Sequence, residues 1–238
     1  MRVITGVLVA VFLLILVDLP GRGIVAVFGS SLGLAPWWLK PVVRQGAELL
    51  MALLAIAVVW KGDFRRFGFR VSGNLKIRKS ALASLPLFVF GILVGGLIAS
   101  LITILVGSTP SYDFGSPNLL QQIVKIWLLA SITEEIVFRG LIQTYLSSRL
   151  SSSFSIFRIQ ITHAALVAAV LFSLAHLVLL TRGAGATQMA VIVVSTFILG
   201  VAAGYFRESS GSLVPAIIIH MLFNVWGSGL QLIVPGAA

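Results

Sequence analysis

The chain has 238 residues, of which 58% are apolar and only 10% charged, where an ordinary soluble domain carries roughly 25% charged residues. With a mean hydropathy of +1.08, this composition excludes a soluble enzyme, a disordered chain and a fibrous one, and leaves a multi-pass membrane protein. Seventeen Lys and Arg against seven Asp and Glu give a formal charge of +10. The basic residues lie mainly between apolar runs, which points to anionic lipid headgroups and not to nucleic acid. The absence of cysteine removes disulfides, thiolate metal sites and a thiol nucleophile.

Seven apolar stretches follow in chain order, at 3–19, 41–60, 80–106, 120–146, 159–180, 188–206 and 213–234, each close to the ~20 residues a helical span needs. The first begins after Arg2 and lacks a small-x-small cleavage site beyond Val17, so it reads as a retained helix rather than a signal peptide. Residues 23–33 fit either its continuation or an interfacial segment. The connection 61–79 carries Lys61, Arg65, Arg66, Arg70, Lys76, Arg78 and Lys79 against Asp63 alone, which places it in the cytoplasm by the positive-inside rule. Phe64, Phe67 and Phe69 alternate with its arginines, as in a segment lying at the headgroup boundary. Alternation from this loop puts the N-terminus, Arg149, Arg158 and Arg207 in the cytoplasm. Trp37, Trp38, Asp113 and the C-terminus then fall outside. The expected architecture is an all-α bundle of about seven transmembrane helices.

An ionisable group at mid-membrane costs at least ~2.5–3.5 kcal/mol on insertion scales and needs a reason. Lys125 is near the end of its span and can snorkel. Arg44 and Glu48 are four apart on one helical face, a structural pair. His163 is roughly 220° round the helix from His176 and points elsewhere. The fourth stretch is different. Glu134, Glu135 and Arg139 sit mid-span, and Glu135 and Arg139 have the spacing and order of a helical ion pair. A buried Glu–Arg clamp accounts for those two and leaves Glu134 without a local partner, which marks it as a functional candidate. His176 ends the run that contains Phe172, while His220 and Asn224 share one face of the last stretch. These polar groups are least costly if Glu134, His176, His220 and Asn224 meet in one hydrated cavity.

A carboxylate, two imidazoles and an amide suit hydrolysis. Glu134 can take a proton from water, a neighbouring imidazole can orient that water or carry protons, and His220 with Asn224 can donate to the oxyanion of a tetrahedral intermediate. The rival is metal-assisted hydrolysis, with Glu134, His176 and His220 as a three-ligand zinc set. The chain has no His-Glu-x-x-His run, no Gly-x-Ser-x-Gly elbow, no phosphate-binding Gly-x-x-x-x-Gly-Lys loop and no dinucleotide fingerprint.

Glu134-Glu135-x-x-x-Arg139, then Phe172-x-x-x-His176, then His220-x-x-x-Asn224, each in an apolar segment and in this order, resembles the CAAX protease and bacteriocin-processing family, also called the abortive-infection family of intramembrane proteases. The resemblance covers roughly 120–234. It implies a catalytic helical core over 107–238, preceded by variable membrane helices over 1–106. It also implies an endopeptidase of the cell membrane acting on membrane-embedded or lipid-anchored peptides or proteins. By the family pattern Glu134 and His176 activate water, His220 and Asn224 form the oxyanion hole, and Glu135, Arg139 and Phe172 support the site. A metal-free glutamate mechanism is favoured over zinc. Some members have an eighth helix, whereas the last stretch here is the seventh. Two further functions fit the composition. One is a proton-coupled transporter, although neither repeats nor broken helices are visible. The other is a non-catalytic immunity or scaffold protein, against which the full set of candidate residues argues.

Overall fold

A computed structural model describes residues 2–29, 39–70, 118–156 and 159–233, with Val89 alone between the second and third segments. The expected span 80–106, Trp37, Trp38 and Asp113 lie outside the described residues, as do Arg158 and the part of the basic connection beyond residue 70. Six helical rods are described: α1 (Arg2–Phe28), α2 (Leu39–Val59), α3 (119–147), α4 (His163–Ala175), α5 (Ala186–Ser210) and α6 (Val214–Ile233). Four helices, at Val3–Phe28, Leu39–Val59, His163–Thr181 and Ala186–Ser210, are long and apolar enough to cross a membrane. Their outward faces carry large apolar side chains such as Ile4, Leu8, Val58 and Val194 in open exposure, an arrangement that lipid explains and water would not tolerate. The all-α membrane bundle read from the sequence is the fold observed.

α1 continues past the expected end at residue 19, through Pro20, to Phe28. A proline inside a bundle helix is tolerated because neighbours satisfy the freed backbone and polar groups. Here Asp18 holds Arg22 one turn on and accepts from Arg44 Nη1 of α2 at 3.0 Å, while Arg44 also pairs with Glu48. The Arg44–Glu48 pair is thus part of the α1–α2 contact, a structural role as expected from its spacing.

The basic connection differs from its sequence reading. Phe67 is fully buried, edge-on to Trp60 with ring centroids 5.1 Å apart, so it faces the bundle and not a headgroup layer. Gly68 adopts φ +91°, and its carbonyl accepts from Leu213 N at 3.0 Å. Arg66 O accepts from Arg207 Nη2 at 3.0 Å. The chain from the end of α2 to Arg70 is therefore fastened to the start of α6 and the end of α5. Arg65, Arg66 and Arg70 remain exposed.

The stretch 159–180 also departs from a single helix. Its first residues form β2 (Ile159–Thr162), paired antiparallel with β1 (Ser153–Ile156) in register Ser153 with Thr162. Burial alternates along β2, Ile159 and Ile161 inward and Gln160 outward, a period-2 pattern hidden inside an apolar run. Thr162 caps α4 by accepting from Ala165 N at 3.0 Å. His163 begins that helix with its ring against Ser152 and Phe154, at the opposite end from His176. α4 tightens to a 3₁₀ turn over His176–Arg182 and stops at Gly183, which has left-handed φ.

Candidate active site

α3 changes winding along its length. It opens at a capping box made by Asn118 and Gln121 and then takes wide i→i+5 turns over Gln122–Ala130. It returns to α geometry for Ser131–Glu135 and widens again over Ile136–Gln143. Wide turns within α-helices are frequent at functional sites, and the α segment they flank is the one bearing Glu134 and Glu135.

Glu135 is fully buried. One oxygen, Oε1, faces two partners: Arg139 Nη1 at 3.1 Å on the same helix and His220 Nδ1 at 2.7 Å on α6. The i,i+4 pair read from the sequence is present, and the contact to His220 adds a charged hydrogen bond across helices. Arg139 is fully buried, with its guanidinium carbon 4.4 Å from the centroid of the Phe172 ring. A cation over an aromatic face is stabilised by the ring quadrupole, more so away from water.

Glu134 stands apart from this pair. Its side chain is 25% exposed, and its Oε2 lies 3.8 Å from His220 Nε2. That separation is too long for a hydrogen bond, so the two atoms face a common space without closing on each other. His220 is thereby gripped on Nδ1 by Glu135 and presents Nε2 to Glu134. Glu48 of α2 is close enough to Glu134 for the two carboxylates to interact electrostatically, a neighbour that sequence reasoning assigned only to Arg44.

The Phe172 ring packs edge-on with both histidines, its centroid 5.0 Å from that of His176 and 5.7 Å from that of His220. His176 Nδ1 is 2.9 Å from Phe172 O. A ring nitrogen on a carbonyl is a donor, which leaves His176 Nε2 as the acceptor of the neutral ring. Asn224 is half-buried, and its Nδ2 donates to Ile126 O and to Ser131 Oγ, both at 3.0 Å. Those bonds tie α6 to α3 about one turn (Ser131) and about two turns (Ile126) before Glu134 and Glu135. Ser131 was visible in the sequence as the start of the Glu134 motif, but nothing there linked it to Asn224.

The structure thus brings Glu134, Glu135, Arg139, Phe172 and His220 together, sets His176 against the Phe172 ring, and places Asn224 where it joins two helices. Among the described residues no three His, Asp or Glu side chains come together as a metal site would require. Of the three expected zinc ligands, His176 and His220 both pack on Phe172, and Glu134 and His220 face each other at 3.8 Å. As placed, this donor set does not converge on one ion.

Residues 116–226 match a family model described as Rce1-like, the type II CAAX prenyl endopeptidase Rce1-like family. The matched stretch contains every residue of the constellation just described, and the resemblance carried by the three motifs is to this same family. No curated protein and no solved structure matches the chain.

Proposed function

We propose that this chain, whose residues 116–226 match the Rce1-like family model, is an intramembrane endopeptidase of the CAAX protease kind that cleaves membrane-anchored peptides or proteins with Glu134 as the general base. The observation that carries the assignment is the contrast between two adjacent carboxylates. Glu135 is fully buried with its Oε1 engaged by Arg139 and His220, whereas Glu134 is partly open and faces His220 Nε2 at 3.8 Å. A water placed against both atoms is within hydrogen-bond reach of each.

Glu134 takes a proton from that water as its oxygen adds to the scissile carbonyl carbon. The carbonyl oxygen becomes the oxyanion, and His220 donates to it from Nε2. Because Nδ1 already donates to Glu135, the donating ring is an imidazolium, and the Glu135 carboxylate compensates its charge. Collapse of the intermediate breaks the C–N bond, and the proton held by Glu134 passes to the leaving amine. His176, whose Nε2 is the free acceptor, serves as a relay for that proton. Asn224 joins the oxyanion site by exchanging its bond to Ser131 for one to the substrate. A prenylated C-terminal segment, the substrate class named by the family, fits a site reached from the bilayer. The experiment is cleavage of a lipidated peptide by the purified chain in detergent. Glu134→Gln should abolish it, and Glu134→Gln activity equal to wild type would remove Glu134 as the base.

A further inference from the structure

At the end of the bundle that carries the basic connection, a cavity of about 330 Å³ opens beside the catalytic helix, at the lower end of the ~300–1,000 Å³ of small-molecule sites. Arg66, Arg139, Gln143, Thr144, Arg207 and Glu208 line it. Three guanidiniums therefore surround one carboxylate, and that carboxylate is already engaged: Glu208 accepts from Gln143 Nε2 at 2.9 Å and from Thr162 Oγ1 at 2.7 Å. Arg139, Gln143 and Arg207 are each more than nine-tenths buried. No guanidinium nitrogen of Arg139 has an aligned hydrogen-bond partner among the described residues, nor has Arg207 Nε. Buried guanidinium donors left without acceptors are costly. The hydroxyls of Ser147 and Ser148 at the rim already donate to the backbone, to Gln143 O and Tyr145 O, so they do not relieve the arginines.

We propose that this cavity binds a phosphate-bearing anion, held by the Arg66, Arg139 and Arg207 guanidiniums. A tetrahedral anion supplies several acceptors at once and offsets the positive charge that Arg66 and Arg207 add beyond Glu208, Arg139 being already paired with Glu135, and arginine forks match its geometry. The phosphate is either free in solution or the headgroup of a lipid whose chains lie along the exposed apolar faces of the bundle. Because Arg139 touches both the cavity and Glu135, the site adjoins the catalytic cluster through one shared side chain.

The test uses the full chain purified in detergent and follows its melting temperature, since a ligand of the folded state raises it in a saturable way. Inorganic phosphate is titrated against chloride at matched ionic strength. In parallel, dioctanoyl phosphatidic acid is titrated against dioctanoyl phosphatidylcholine. A saturable rise with inorganic phosphate assigns free phosphate. A rise with phosphatidic acid alone, absent with phosphatidylcholine, assigns a lipid headgroup. In either case Arg66→Gln, an exposed side chain whose backbone contact to Arg207 survives the change, should weaken the apparent affinity roughly tenfold. Glu208→Gln, which keeps the acceptor to Gln143 and removes the opposing charge, should strengthen it. No rise beyond chloride and phosphatidylcholine, or a rise that Arg66→Gln leaves unchanged, would overturn the proposal.

Discussion

Glu134 and Glu135 are neighbours in sequence and opposites in surroundings, one partly open and the other sealed between Arg139 and His220. Their substitutions should therefore differ in kind. Glu134→Gln should leave the melting temperature near wild type while removing cleavage. Arg139→Ala uncovers a buried carboxylate and should lower stability by about 3–5 kcal/mol, read as a large fall in melting temperature. Equal losses of fold in both variants would refute the division. The Glu135–Arg139 pair was legible because helical spacing alone puts residues four apart together. The Glu135–His220 bond and the Asn224–Ser131 bond were not, because each joins side chains more than eighty residues apart, and only the packing of α6 on α3 decides which face meets which. The same packing brings His220 onto the Phe172 ring that His176 also touches, a relation that spacing along one helix does not contain. Metal content is the complementary measurement at this scale. Since Glu134, His176 and His220 do not converge, active purified protein should contain no stoichiometric zinc and should keep its activity after prolonged treatment with a strong chelator. One bound zinc per chain, with activity lost on removal and restored on return, would contradict the glutamate mechanism.

Between elements, α4 and α5 approach through small residues. A Cβ added at Gly200 would lie 2.9 Å from Ala169 Cβ, 3.0 Å from Ala169 Cα and 3.3 Å from Arg139 Nη2. The first two are closer than side chains normally come, and small residues at such contacts are how membrane helices gain close packing. Gly200→Ala should force α4 and α5 apart and press on the guanidinium that holds Glu135. The expected outcome is a lower melting temperature, by about 1–3 kcal/mol of stability, together with reduced cleavage. Wild-type melting and activity in that variant would show that the contact has slack. The sequence made each of these helices visible as an apolar run, but an apolar run does not say where winding changes. The hairpin over Ser153–Thr162 and the wide turns of α3 therefore escaped it. The Ile159–Thr162 alternation was the one available signal, and it is only four residues long.

For the whole molecule, the orientation in the membrane follows from one end of the bundle. Arg65, Arg66 and Arg70 are exposed there, Arg207 is tied to Arg66 O, and Arg149 stacks on Tyr145 with its guanidinium carbon 3.9 Å from the ring centroid. The sequence treated these basic groups as separate loops that alternation happened to place on one side. The structure makes Arg66 and Arg207 physically contiguous, so they share a side of the membrane whichever side it is. The positive-inside rule then favours the cytoplasm, because retained basic residues near span ends set orientation. The chain has no cysteine, so a single Arg65→Cys substitution gives an unambiguous reporter at an exposed position. A membrane-impermeant maleimide should fail to label it in intact cells and label it after permeabilisation. Arg149→Cys, at an exposed position whose side chain stacks on Tyr145 and donates to Tyr145 O and Ser148 Oγ, should behave identically. Labelling of both in intact cells would invert the orientation while preserving the bundle. Labelling of one alone would break the contiguity that Arg207 enforces between the connection after α2 and the end of α3, and with it the shared wall of the phosphate cavity.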